Sequence, residues 1–485
     1  MESDLSQAKS RSHWSSTFGF VMAAAGSAVG LGNLWKFPYL VGANGGSAFI
    51  VIYILLLFFI GVPLVIAEIT IGRFGQLNPV GSFGLISPKL KWVGGMGLIT
   101  GFILISFYPV VGGWILYYLY HSFVSFGENP DYAQIFANYT SNSTYPIVTL
   151  FIFSVMNYLI VALGVEKGIE KYSKIMMPAL LVILIVVTIR TLTLEGSWEG
   201  VKFIFHPDFT KVNGKTILAA VGQVFFSLSL GMGALLTYGS YLSKKDNLFK
   251  SSISIPIIDT LIALLATIAI MPAVFAFKFE PAAGPSLIFV TLPAIFAKMP
   301  MGTFISIIFF TLMLFAALTS SISMLEGLVS YLIDRWHWKR FTATTAVAIV
   351  VFFLGIPCAL SFGLLKDTTV LPGKTIFDSM DFIASNILLP FGGIMLSICV
   401  GWIWDGGLRY ETIIVKNQKG NPDVVTNGYV FNSCLREITN QGTLNFPFMS
   451  AWIFIIKWVA PIVVLAIFID SCDLLSYIEG LLSIK

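Results

Sequence analysis

Three glycines, an amide and an ammonium stand close together in the first apolar stretch of the chain: Gly26, Gly30, Gly32, Asn33 and Lys36. The stretch, residues 17–41, is long enough to cross a hydrocarbon core of about 30 Å. A glycine costs a helix interior about 1 kcal/mol relative to alanine, and an unpaired backbone amide in hydrocarbon costs more. An interrupted helix at that depth is tolerated only where the freed groups line a protein-enclosed cavity. Glycines alone would suit a close helix–helix contact; Asn33 and Lys36 beside them favour a binding site. Covalent chemistry finds no support. His13, His121, His206 and His337 fall at segment ends or in loops, and no serine–lysine or paired-aspartate motif faces a common cavity.

A second interruption follows five helices later, in Gly222-Gln223-Val224-Phe225-Phe226-Ser227-Leu228-Ser229-Leu230-Gly231-Met232-Gly233. Two broken helices at matching positions of two five-helix halves point to an inverted-repeat transporter. Asp259 and Glu68 also lie within apolar segments, where a carboxylate is expensive and functional by default. For Glu68 the expected role is to accept hydrogen bonds from amides freed at the breaks.

The elements that must hold these groups are membrane helices. Of the 485 residues, 56% are hydrophobic and 11% charged, against about 25% charged in a soluble domain; the mean hydropathy is +0.85. Apolar runs over residues 17–41, 47–71, 92–126, 146–164, 174–194, 215–242, 252–277, 301–333, 341–361, 376–404 and 447–470 predict about eleven spans. The fold class is thus an all-α polytopic membrane protein. Residues 1–16 form a cytoplasmic segment, 17–404 the core, 405–446 a cytoplasmic connection without a readable motif, and 447–485 the last helix with an extracellular end. Eighteen lysines and arginines fall in inner loops against eight outside, which sets this orientation in the plasma (inner) membrane. Residues 286–299 are too short to span and suggest a helical hairpin on the outer face. The net charge of +4 sits in loops and implies no nucleic-acid partner. Four scattered cysteines have neither metal spacing nor a disulfide pattern.

Gly30-Leu31-Gly32-Asn33-Leu34-Trp35-Lys36-Phe37-Pro38-Tyr39 and Asn44-Gly45-Gly46-Ser47-Ala48-Phe49 closely resemble the signature of the neurotransmitter:sodium symporters. Gly61-Val62-Pro63 with Glu68 and Gly72-Arg73, the residue 222–233 run, Leu318-Thr319-Ser320-Ser321 and Met380-Asp381-Phe382 extend it. Bacterial amino-acid transporters of the LeuT type are most similar, and imply two five-helix repeats plus one further helix. The resemblance implies a first sodium site at Ala28, Asn33, Ser227 and Asp259, with an aspartate where the family often has asparagine. It implies a second at Gly26, Val29, Ala316, Thr319 and Ser320.

The same resemblance places substrate among Ala28, Gly30, Leu31, Gly32, Leu104, Tyr108, Phe226, Ser227, Ser229, Met232, Ser320, Ser323 and Met324. Gly30 replaces the aspartate of amine transporters, so an α-amino acid whose own carboxylate completes the first sodium shell is expected. The pliable Met232 and an uncharged wall favour bulky neutral amino acids. Lys36 and Asp381 correspond to the outer gate; Arg11, Trp14, Asp334, Ser240 and Tyr241 correspond to the inner one. Gly168 and Pro178 repeat a family spacing linked to local unwinding. Ala263 stands where chloride-dependent members carry serine, so chloride is not required. The implied activity is sodium-coupled symport by alternating access, without an enzymatic step. Its rivals are transport of an aromatic compound without a carboxylate, and a non-transporting receptor. Oligomeric state is left open.

Overall fold

The computed structural model describes residues 12–124, 130–280, 287–408, 410–416, 422–429 and 432–471, with 410–429 described by backbone alone. Its helices are α1 (Thr17–Ala28, then Gly32–Ala43), α2 (Ser47–Gly75), α3 (Lys91–Val124), α4 (Tyr145–Ala162) and α5 (Val165–Leu192). After these come α6 (Gly214–Ser227, then Ala234–Gly239), α7 (Leu248–Ala276), α8 (Gly302–Trp336), α9 (Arg340–Phe362), α10 (Ile376–Gly406) and α11 (Met449–Asp470). Nine are individually long and apolar enough to cross a membrane among the described residues, and the two halves of α1, bent by 52°, make a tenth. The shorter halves of α6 flank its break.

Burial sorts these helices into layers. In their most apolar stretches α3 is 83% and α8 78% buried, whereas α4 and α11 are each 33% buried. α3 and α8 are therefore the internal supports, and α4 and α11 face lipid. Both breaks lie in the interior: Ala25, Val29, Asn33, Ser227 and Leu228 are all buried.

Local chemistry explains where the helices start and fail. Ser16 caps α1 by accepting from Gly19 N at 3.1 Å, satisfying one of the free amides of a first turn. In α6 the chain turns at Ser229 (φ 53°), Gly231 (φ 85°) and Gly233 (φ 79°). That left-handed backbone is open to glycine and strained for serine.

One expectation is corrected. The outer segment Leu287–Lys298 is one helix, not a hairpin; its Phe289 ring packs against Trp114 and Phe136 instead of a second helical arm. The spans are all helical, and short antiparallel hairpins lie between them. Thr369–Leu371 pairs antiparallel with Lys374–Thr375 across Pro372-Gly373, a turn dipeptide with Gly373 at φ 71°. Tyr410–Lys416 pairs with Pro422–Tyr429, a stretch rich in β-branched residues.

The connection 405–446 is anchored as well. Its helix Ser433–Ile438 brings Glu437 to Arg73 at the end of α2, where Nε meets Oε1 at 2.7 Å. Lys244, beyond α6, reaches the same carboxylate at 2.9 Å. Burial holds the Lys244 ammonium below its ordinary pKa although Glu437 opposes the shift.

Candidate functional site

The break in α1 faces α7. Asn33 Nδ2 donates to Asp259 Oδ1 at 2.7 Å and to the Asp259 carbonyl at 3.1 Å. The opposite carboxylate oxygen accepts from Ser227 Oγ at 2.8 Å, and Asn33 Oδ1 accepts from Gly30 N at 3.1 Å. All four residues are buried. Three of the four residues of the first predicted cation set, Asn33, Ser227 and Asp259, are thus drawn together around one carboxylate, a hard oxygen donor suited to a hard cation.

A second group of oxygens lies where the same break meets α8. Ser320 Oγ is 3.4 Å from the Gly26 carbonyl and 3.3 Å from that of Val29. Thr319 Oγ1 donates to Phe315 O at 3.0 Å and to Ala316 O at 3.1 Å. Hydroxyls of helical serine and threonine ordinarily bond back to their own helix; Ser320 instead turns to carbonyls freed in α1. Gly26 permits the approach, since a Cβ there would lie 3.1 Å from Thr319 Cβ.

Between these groups is a cavity lined by Ala28, Gly30, Leu31, Gly32, Leu104, Tyr108, Phe226, Ser229, Met232, Ser320, Met324 and Leu389. The Tyr108 hydroxyl accepts from Leu31 N at 3.4 Å. A Cβ on Gly30 would collide with Ser320 Oγ and come within 3.0 Å of that hydroxyl; one on Gly32 would press the Phe226 ring at 3.0 Å. The cavity therefore exists only because these positions lack side chains. One end offers backbone and hydroxyl groups, and the other is apolar.

Of the predicted substrate residues, Ser227 and Ser323 do not line this cavity. Ser227 is turned to Asp259. Ser323 accepts from Ser27 Oγ at 2.7 Å and donates to Ser320 O at 2.7 Å; it borders a neighbouring cavity shared with Met232 and Met324. Leu389 was not anticipated. The Pro390-Phe391-Gly392-Gly393 run beside it signals close backbone approach: a Cβ on Gly392 would lie 2.9 Å from Gly231 Cα.

Glu68 accepts from Gly231 N at 3.2 Å and Leu236 N at 3.4 Å. It thereby pairs one amide within the α6 break and one in the first turn after it, as anticipated.

Above the cavity, Lys36 Nζ lies over the Phe226 ring, 4.1 Å from its centre. It forms no ion pair with Asp381, which accepts instead from Ser385 Oγ at 2.8 Å. Below it, Trp14 Nε1 donates to Tyr238 O at 2.9 Å, and Trp14 N to Tyr241 O at 3.3 Å. Tyr241 OH donates to Glu326 at 2.6 Å, and Glu326 pairs with Arg340. Ser240 Oγ bonds within its own turn, to Thr237 O at 2.6 Å. Asp334 accepts from Asn78 N at 2.7 Å; Arg11 lies outside the described residues. Glu326 and Arg340 are the members that sequence reading missed, although a carboxylate fixed inside an apolar span was a usable signal. Glu170 in α5 accepts from Ser15 N at 2.7 Å and Ser15 Oγ at 2.5 Å, and pairs with Lys174 at 2.5 Å. This ties the start of the chain to α5 beside Gly168, where the helix takes a π turn over Val165–Glu170.

A helical membrane bundle with two interrupted helices around a buried cavity of oxygens and amides is the architecture of a secondary transporter. Residues 11–130 and 132–418 match the model of the sodium:neurotransmitter symporter family, and the chain belongs to that family. It is 38% identical over 469 residues to the sodium-dependent transporter YhdH of Bacillus subtilis, covering 96% of this chain and 98% of that one. To a sodium-dependent transporter of Haemophilus influenzae it is 36% identical over 480 residues, with the same coverage. Among solved structures it resembles MhsT in complex with L-phenylalanine, with TM-score 0.83 and 40% identity over 95% of this chain and all of that one. The protein is a sodium-dependent multi-pass membrane transporter with the LeuT fold, and not an enzyme.

Proposed function

We propose that this protein is a symporter that uses sodium to accumulate neutral, bulky hydrophobic or aromatic L-amino acids by alternating access. The observation that carries the reading is the cavity between Gly30, Tyr108 and Met232. Gly30 sends no side chain into the cavity, so a substrate's own carboxylate can take the place beside the first oxygen cluster. The amides at the α1 break and the Tyr108 hydroxyl are suited to that carboxylate. Leu104, Phe226, Met232, Met324 and Leu389 supply an apolar wall without a charge, against which an acidic or basic side chain would be left unpaired. The 40% identical MhsT was solved in complex with L-phenylalanine, an amino acid of this class.

Two sodium ions fit the two oxygen groups, one at Ala28, Asn33, Ser227 and Asp259 and the other at Gly26, Val29, Ala316, Thr319 and Ser320. A substrate carboxylate completing the first shell would make ion and substrate stabilise each other's binding. In this reading the two halves of α6 count as the eleventh span, and α1–α5 and α6–α10 are the inverted repeats. The amino terminus is cytoplasmic and the carboxyl terminus extracellular. Lys36 would close the outer path by swinging from Phe226 to Asp381, and the Trp14–Tyr241–Glu326 network closes the inner one. Transport proceeds without chloride, Asp259 supplying the negative charge near the buried Ala263.

The test is uptake of a labelled amino-acid panel into proteoliposomes with sodium or potassium outside. Sodium-dependent accumulation of phenylalanine, tryptophan, tyrosine or leucine, unchanged when gluconate replaces chloride, is the expected result. Sodium-dependent binding without accumulation would make the protein a receptor, and movement of glycine alone would overturn the substrate class.

A further inference from the structure

One lysine lies inside a span and away from the transport pathway. Lys457 sits at the middle of a π turn, Ile455–Val459, in the lipid-facing helix α11. A second π turn, Cys399–Ile403, faces it from α10. Gly401 lets the two approach, since a Cβ there would lie 3.1 Å from Lys457 Cα. π turns are uncommon and occur frequently at functional sites.

The ammonium is held between two indoles. It lies 4.5 Å from the centre of the Trp402 ring and 6.0 Å from that of Trp458. The two rings meet edge-on at 4.6 Å, and Trp402 Nε1 is fixed by donating to Lys457 O at 3.0 Å. Nζ has three donors; one reaches Leu408 O at 3.1 Å. Among the described residues no carboxylate lies within ion-pair distance of it. Both indoles are open to the surroundings, Trp402 at 42% and Trp458 at 47%. Trp458 continues into an exposed stripe with Phe454 and Ile462, whose spacing of four residues makes one lipid-facing side.

We infer that Lys457, Trp402 and Trp458 form a binding site for the phosphate of an anionic phospholipid, in the leaflet on the side of residues 405–446. The acyl chains would run along the stripe of α11, and the headgroup phosphate would meet the two remaining ammonium donors. An intramembrane lysine costs free energy unless it is paired or reaches the interface, and tryptophan belongs to the interfacial level. The site lies apart from the substrate cavity, so it does not depend on the transport reading.

The purified full chain in detergent, titrated with phosphatidylglycerol or phosphatidylcholine and followed by native mass spectrometry, tests this. The wild type and Lys457→Arg should retain phosphatidylglycerol in preference. Lys457→Gln should bind it about fivefold more weakly, the worth of one cation near a charged leaflet, with phosphatidylcholine retention unchanged. Equal phosphatidylglycerol affinity in wild type and Lys457→Gln would overturn the proposal. Should Lys457→Gln fail to fold, tryptophan quenching by brominated-acyl lipids decides. Brominated phosphatidylglycerol should quench the wild type more than brominated phosphatidylcholine does. The excess should vanish in Trp402→Phe/Trp458→Phe; equal quenching by both lipids would sink the idea.

Discussion

Asn33 and Asp259 are joined twice, side chain to side chain at 2.7 Å and side chain to backbone at 3.1 Å. The bonds fasten the interruption in α1 to α7. A buried carboxylate with one oxygen held by an amide and the other by the Ser227 hydroxyl has its position fixed before any ion arrives. In the proposed reading, an ion bound there would meet a site whose ordering is largely complete.

Replacing Asp259 removes that anchor. Asp259→Ala should weaken the apparent sodium affinity for uptake at least tenfold, consistent with about 1.5–3 kcal/mol for hydrogen bonds to a charged group. Asp259→Asn keeps an oxygen at the same place and should retain part of the activity. Sodium titrations of initial uptake rates distinguish the two.

Gly30→Ala should fold yet lose substrate. The added methyl meets Ser320 and Tyr108, and overpacking of this kind costs about 1–3 kcal/mol. Equilibrium binding of labelled phenylalanine should fall by at least tenfold. Binding equal to wild type would mean that the carboxylate lies elsewhere.

Met232 should set the size of the side chain accepted. Met232→Phe fills the junction between the main cavity and its neighbour beside Ser323. The ratio of kcat/KM for tryptophan over leucine should drop several-fold, in line with about 1–3 kcal/mol for modest changes in an apolar pocket. An unchanged ratio would remove Met232 from selectivity.

Glu437→Gln should be costly although it lies far from the substrate. It leaves Arg73, 1% exposed, and Lys244 without their counter-charge. Breaking a buried pair from one side costs about 3–5 kcal/mol. The unfolding midpoint should fall markedly, and Arg73→Met/Glu437→Met should recover part of the loss.

How far the sequence reached depended on the range of the interactions. The breaks were legible because Gly26, Gly30, Gly231 and Gly233 carry their own backbone signal, and Glu68 because a carboxylate in an apolar run needs partners. Leu389 was not legible: its place depends on α10 lying backbone to backbone with the α6 break. Nor was the pairing of Arg73 with Glu437, since the partners are separated by 364 positions and no local pattern links them. Lys36 illustrates a third case. Its position was evident, but its orientation over Phe226 instead of toward Asp381 is a matter of side-chain packing.

Glu68 binds one amide before Met232 and one after Gly233, at Gly231 and Leu236. The loop of the α6 interruption and the first turn of its second half thus answer to a single side chain rooted in α2. Such a joint can swivel about the carboxylate while both bonds hold, but it cannot slide without giving up one of them. The second half of α6 is therefore hinged to α2 through one pin: it can tilt about the carboxylate, and α2 sets the axis.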